Sequence, residues 1–376
     1  MLALWPVAAN AHDASGWGGL FRSTDGGATW FQANQGRLVA GALAVAVDSA
    51  DANHLLMGTD AGLLATRNGG LDWQDAATGP SGPVFAVAIA SERHQLAVND
   101  RGLYHSNGDD TWHPLPLPAG VSPVRALVSD PRTNGLYLLG WKGLFYSEDW
   151  GTTWAPLDSG LPEAAVTSLV IVRTPAGGDL LVCIANGQVW ATDASARNWQ
   201  RFNAGLPGGQ MQVLAADPSG DVLWAAGDDR VYRSESREQA WQAVGQPLPD
   251  SPTEIRGLAM SPDHRRLILS THRGVYTTLN NGATWSAPTD NLPGHLEAGP
   301  LIHDPADPRI LYVGFALTPY DEQWRRVVKG HPALSQLTVP DAIGAAAFLV
   351  LLLLGAVLAL RWLARNQPPH VAEPVA

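Results

Sequence analysis

Two arginines, Arg125 and Arg256, and three carboxylates, Asp228, Asp229 and Glu297, are the side chains through which this sequence could act on a ligand. A guanidinium grips a carboxylate through two parallel hydrogen bonds, so arginines converging on one point make an anion-accepting funnel. Two carboxylates held about 5–10 Å apart across a sugar are the apparatus of glycoside hydrolysis. Gln212 adds a neutral donor and acceptor, and Trp141 a ring that can stack on a sugar or anchor a protein partner. Arg101, Lys142, His272 and Arg273 extend the set. The same residues have plainer uses: arginine pairs with a neighbouring acid, Asp closes turns on its own backbone, and Trp141 can fold back onto the sheet beneath it. Side chains so scattered meet only if a repeating architecture brings them to one end.

The repeat is an octet, Ser/Thr-x-Asp/Asn-x-Gly-x-Thr-Trp. It occurs with Ser23, Asp25, Gly27, Thr29 and Trp30, again with Ser147, Asp149, Gly151, Thr153 and Trp154, and with Asn280, Gly282, Thr284 and Trp285 after Thr278. Looser copies end at Trp73, Trp112, Trp199 and Trp241. The Asp or Asn accepts hydrogen bonds from backbone N–H groups further on, the Gly supplies a positive φ, the Thr suits the departing strand, and the Trp buries a large ring beside the hairpin it ends. The closing tryptophans fall 39 to 45 residues apart, the length of one four-stranded propeller blade.

Each unit shows short, turn-bounded strands, as in Ala42–Asp48, His54–Thr59, Gly62–Thr66 and Asp72–Gln74. Later inner strands start near Val84, Val124, Val166, Met211, Ile255 and Gly299. The first hairpin lacks an inner pair and the last inner pair (301–304 and 310–314) lacks a clear octet, so the two halves complete one blade and close a ring of seven. A competing count makes 315–328 a degenerate outer hairpin and leaves an incomplete eighth blade. In such a ring the turns joining strands two and three gather with the blade-to-blade loops on one face, the default ligand site. That face receives Asp60, Asp100, Arg101, Trp141, Lys142, Asn186, Asp228, Asp229, Arg230, His272 and Arg273 from the turns. Arg125, Gln212, Arg256 and Glu297 stand at or near inner-strand starts, where other blades carry Leu43 and Phe85. Tyr104, Tyr146, Tyr232 and Tyr276 recur on third strands, which marks them as packing.

Composition excludes several functions. The net charge is −11 and only Lys142 and Lys329 are lysines, so no nucleic-acid partner is expected. The histidines, among them His54, His94, His264 and His303, lack ligand spacing, and no phosphate loop or nucleophile elbow occurs, so neither a metal nor a cofactor is expected. Cys183 is alone in an apolar run and reads as a buried core thiol.

The ends speak of a membrane. Residues 1–13 carry a short apolar run and Ala9-Asn10-Ala11, resembling the end of a secretory signal without its basic start. After the propeller (18–318) and a linker (319–341), the run 342–360 holds 19 uncharged residues; a helix of that length is roughly 28 Å long, about one hydrocarbon core. A single transmembrane helix is expected there, followed by a short tail (361–376). Basic residues flank it nearly evenly, and the signal breaks the tie in favour of a propeller on the periplasmic or extracellular side.

With these octets, their spacing and the Gly/Asn-Leu-Pro turns at 160–162, 205–207 and 291–293, the chain resembles the Asp-box (bacterial neuraminidase repeat) propellers over roughly residues 18 to 318. The resemblance implies an all-β, seven-bladed β-propeller of four-stranded blades with Asp-box hairpins, to which the sequence adds one C-terminal transmembrane α-helix. That superfamily includes sialidases, sortilin-type receptors, xyloglucan-active glycosidases and photosystem II assembly propellers, and the Asp box lies on hairpins away from the binding face. A sialidase-like enzyme would need an arginine cluster, a Tyr–Glu nucleophile pair and an acid/base; the N-terminal Arg-Ile/Leu-Pro element of that family is absent here. The expected role is therefore a membrane-anchored, exported scaffold or assembly factor for a membrane or envelope protein complex. The alternative is a membrane-tethered, sialidase-like glycoside hydrolase acting on surface glycan; a peptide receptor is a third possibility.

Overall fold

The computed structural model describes residues 18–328, apart from 92–93, 109–110, 131–132, 134, 174–178, 194–197, 218–220, 236–239, 262 and 288–290. The chain divides into two units, Met1–Gln323 and Trp324–Ala376. The first is a seven-bladed β-propeller. Six of the seven blades are antiparallel sheets in chain order, as in Val124–Asp130, Gly135–Gly140, Leu144–Ser147 and Ala155–Pro156. We number the blades from Ala42, so that this sheet is blade 3. In blade 6 the outer strand shrinks to a single bridge between Thr277 and Ser286.

Blade 7 closes the ring. Strands Glu297–His303 and Leu311–Ala316 pair with the N-terminal strands Gly19–Ser23 and Phe31–Gln32, with Leu20 opposite Gly314 and Arg22 opposite Tyr312. Seven apolar clusters fill the described part of the propeller, one between each pair of adjacent blades; Trp224, Leu258, Leu269 and Tyr276 belong to the seam between blades 5 and 6. Cys183 is fully buried in the seam between blades 3 and 4, where burial pushes its thiol far up.

The octets close their hairpins through side chains. Ser23 Oγ accepts the Gly27 N–H (2.8 Å) and donates to Asp25 Oδ1 (2.8 Å), while that carboxylate takes the Thr29 N–H (2.9 Å) and hydroxyl (2.6 Å). Ser147, Asp149, Gly151 and Thr153 repeat the pattern, as do Thr278, Asn280, Gly282 and Thr284. The degenerate copy at Thr66 and Asn68 folds the same way. The glycines have positive φ as expected, but so do the residues before them, Trp150 (53°) and Asn281 (54°).

The closing tryptophans reach further than the hairpins they end. Nε1 of Trp73, Trp199, Trp241 and Trp285 donates to the carbonyls of Ala33, Leu157, Phe202 and Gln246, each on the preceding blade. These four tryptophans are thus inter-blade staples, whereas Nε1 of Trp30 and Trp154, in two of the intact octets, is buried without a hydrogen-bond partner.

Residues assigned from sequence to the start of a linker form helix α1 (Tyr320–Val328), so the competing outer hairpin over 315–328 does not form. Asp321 and Glu322 in its first turn and Arg325 and Arg326 in its last complement the helix dipole. Among the described residues no helix is long and apolar enough to cross a membrane. The signal-like segment (1–13), the transmembrane run (342–360) and the tail (361–376) lie outside the described residues.

Candidate functional site

The polar positions at the inner-strand starts share one structural origin. In six blades the innermost strand opens with a β-bulge, leaving a single residue without a register partner: Leu43, Phe85, Arg125, Thr167, Gln212 and Arg256. One register position is therefore apolar in blades 1 and 2 and polar from blade 3 to blade 6. Thr167 belongs to this ring and was missed from sequence, because a threonine at a strand start carries no distinctive signal. Glu297 falls outside it, opposite Ala316; in blade 7 the bulge is Gly299-Pro300.

Two of the polar ring residues, Gln212 and Arg256, bond to the next blade, whereas Thr167 Oγ1 is buried without a hydrogen-bond partner. Gln212 Oε1 accepts the Ile255 N–H at 2.7 Å. Arg256 gives Nη1 to Glu297 Oε2 at 2.6 Å and Nη2 to Glu254 Oε2 at 3.1 Å; its side chain is 11% exposed, against 20% and 38% for the two glutamates. Glu297 Oε2 also accepts the backbone N–H of Tyr320 at 3.0 Å. The Tyr320 ring lies 5.2 Å from the Arg256 guanidinium carbon, and its hydroxyl donates to the Ala42 carbonyl at 2.6 Å. Burial pushes the Tyr320 phenol far up, so it remains a donor. Burial pulls the Arg125 guanidinium below its ordinary value, opposed by the carboxylates of Asp321 and Glu254.

Arg125, Arg256, Gln212 and Glu297 are thus brought to one mouth, where each inter-residue contact is internal to the protein. Glu254 and Tyr320 complete the cluster and were absent from the sequence reading. A Glu two residues before Arg256 was visible in principle; Tyr320, in an assigned linker, was not.

The turns between second and third strands strap the incoming inner strands. Asp228 Oδ2 accepts the Gln210 N–H (2.8 Å), Asp60 Oδ1 the Gly41 N–H (3.0 Å) and His272 Nδ1 the Glu254 N–H (3.0 Å). The backbone N–H of Trp141 donates to the Pro123 carbonyl (3.0 Å). Asp228 and Asp229 have positive φ and form the turn itself, the structural use of Asp anticipated from sequence. Arg101, Lys142 and Arg273 are exposed, with Arg273 Nε directed to His272 Nε2 (3.2 Å). The Trp141 side chain is 41% exposed. Among the described residues, Leu38 (80%) and Leu317 (41%), beside the blade 1 entry, are the other large apolar side chains open on this face.

A cleft of about 680 Å³ lies between blades 5 and 6 toward the octet end, lined by Trp224, Arg233, Glu235, Asp263 and His264. Its lining residues Glu235, Ala240 and Asp263 are the sequence neighbours of 236–239 and 262, which lie outside the described residues. Among the described residues no group of three or more His, Cys, Asp or Glu could hold a metal ion.

No family model and no curated protein matches the chain. Solved structures do. YCF48 bound to a D1 peptide is 16% identical over 74% of this chain and 93% of its own (TM-score 0.55), and YCF48 from Cyanidioschyzon merolae is 13% identical over 74% and 96% (TM-score 0.56). The GH74 xyloglucanase from Xanthomonas campestris is 19% identical over 72% of this chain and 51% of its own (TM-score 0.52), so the chain spans about half of that enzyme. At these identities the likeness establishes the fold, a seven-bladed β-propeller whose structural neighbours are YCF48 and GH74-type propellers.

Proposed function

We propose that this chain is an Asp-box propeller that works without catalysis, as a binding or assembly platform for a membrane or envelope protein complex. The observation that carries this reading is the character of the loop face. Its central guanidinium is already bound by Glu254 and Glu297, while Leu38, Trp141 and Leu317 stand open to solvent around it. Exposed apolar side chains ringing a self-satisfied mouth favour a protein partner over a small anionic substrate. A similarly folded propeller has been solved with a D1 peptide bound, which supports peptide recognition by this architecture. The uncharged run 342–360 adds a single-pass anchor to the proposal, and residues 1–13 add export, with the propeller on the periplasmic or extracellular side.

The glycosidase alternative loses its best acid: Glu297 is the ion-pair partner of Arg256 and the acceptor for the Tyr320 N–H, and Asp228 is spent on a backbone strap. The test is recovery of the tagged, full-length chain from membranes of its native host under mild detergent, with mass spectrometry of what accompanies it. A stoichiometric protein partner is expected, lost in Leu38→Asp/Trp141→Asp at unchanged melting temperature. Recovery of the chain alone, or a partner indifferent to that variant, refutes the platform and redirects work to glycan.

A further inference from the structure

The segment after the last strand of blade 7 stays on the propeller and crosses its mouth. The Leu317 N–H donates to the Ala40 carbonyl at 2.9 Å, the Tyr320 N–H to Glu297 and the Tyr320 hydroxyl to Ala42, while Arg256 covers the ring. These partners belong to blades 1, 6 and 7, and the Asp321 carboxylate acts on Arg125 of blade 3. A short stretch that reaches four blades of a ring must lie over its channel.

The mouth is shaped to the ring it holds. A Cβ added to Gly299 would overlap the Tyr320 ring. Elsewhere the bulge carries a side chain into this ring position; in blade 7 it carries Gly299-Pro300 and leaves the space that Tyr320 fills. Anchorage is concentrated: Tyr320 and Gln323 are buried, whereas Leu317, Pro319 and Glu322 are exposed. One deeply seated aromatic, an acidic residue after it and a mostly solvated remainder is how a helical peptide docks in a groove.

We infer that the channel mouth is a peptide-docking site held shut by the chain's own segment Leu317–Gln323, and that the partner segment it accepts has an aromatic residue followed by an acidic one at a helix start. The inference rests on the platform reading for the existence of that partner, but the latch itself is testable without one. Partner binding at the mouth then competes with the tethered segment, whose high effective concentration keeps the site closed until a better or more abundant ligand arrives.

The test uses the full-length chain and a fluorescent peptide of residues 316–328. Wild type is expected to bind it weakly, because its site is filled. Tyr320→Ala is expected to bind it at least tenfold more tightly, and Tyr320→Ala/Arg256→Met to lose that gain. A folded Tyr320→Ala chain that binds no better than wild type overturns the inference. Should Tyr320→Ala fail to fold, hydrogen exchange on wild type decides: excess peptide must speed exchange at the Leu317 and Tyr320 amides while inner-strand amides are unchanged. No acceleration makes the segment a fixed strut and refutes the latch. A latch that responds to peptide in a chain recovered without partners would sink the platform reading alone.

Discussion

Replacing Arg256 by Met tests whether the mouth is a charge cluster that stabilises the ring. Met keeps much of the aliphatic volume and removes the guanidinium from between Glu254 and Glu297. The two contacts are not equal. Glu254 is 38% exposed, and a pair of that kind is worth at most about 1 kcal/mol. Glu297 is 20% exposed and 2.6 Å from the guanidinium; stranding it costs about 2–3 kcal/mol. The variant should therefore lose about 3 kcal/mol, and at about 2–4 °C per kcal/mol for a domain of this size it should melt about 6–12 °C lower. Scanning calorimetry on the full-length chain in matched detergent measures the shift. Adding Glu297→Gln should restore about half the loss, since Gln carries no charge and still accepts the Tyr320 N–H. A single variant melting within about 2 °C of wild type, or a double variant no better than the single, would show that the ion pairs are rim decoration and that the argument from burial is wrong.

Other seams give further expectations. Trp241→Phe removes the indole N–H that bonds the Phe202 carbonyl at 2.7 Å while keeping an aromatic ring, so it should cost about 1–3 kcal/mol; a urea midpoint equal to wild type would refute the staple. Nδ1 of His303 donates to the Pro308 carbonyl and Nε2 accepts the Met260 N–H, and burial holds its pKa below the ordinary histidine value despite the Pro308 bond. The unfolded state then binds the proton more readily, so stability is full above about pH 6.5 and falls as pH drops through that value toward the folded pKa. In His303→Gln the stability difference between pH 7.5 and pH 5.5 should shrink; an unchanged difference refutes the assignment. At Asp25, burial raises the pKa but hydrogen bonds from Thr29, Ser23 and Ala28 outweigh it and set it at about 2. Its stabilising effect is thus present above about pH 4 and lost between there and about pH 2, and an NMR titration placing Asp25 above 3.5 would contradict the hairpin geometry. Cys183, fully buried with its thiol pushed up, should resist a thiol reagent in the native chain and react only after denaturation; rapid native labelling would refute the packing.

What was legible in the sequence was what repeats. Ser23, Asp25, Gly27 and Thr29 each act on the hairpin that contains them, so their roles follow from local chemistry, and their recurrence fixes blade length and hence the ring. The Trp was legible as a buried ring, but that Trp73, Trp199, Trp241 and Trp285 act as staples was not, since their acceptors lie 39 to 42 residues back, on a blade known only once blades stack. The mouth was half legible. Breaks in the apolar pattern named Arg125, Gln212 and Arg256, and the bulge explains why they share a position. Their partners come from outside the repeat: Glu254 from a loop before an inner strand, two residues from Arg256 and visible in principle, and Tyr320, which was hidden in a stretch whose polar, proline-broken composition imitates a linker. A residue whose environment is assembled by ring closure has no sequence neighbours that reveal it. Asp228 was misleading for the converse reason, since a carboxylate that could serve a substrate and one that caps a backbone N–H look alike until the Gln210 amide is seen at 2.8 Å. Repetition therefore exposes the scaffold, and the places where the repeat is broken, at Arg125, Arg256, Gly299 and Tyr320, mark where this propeller departs from a plain ring and where its specificity is to be sought.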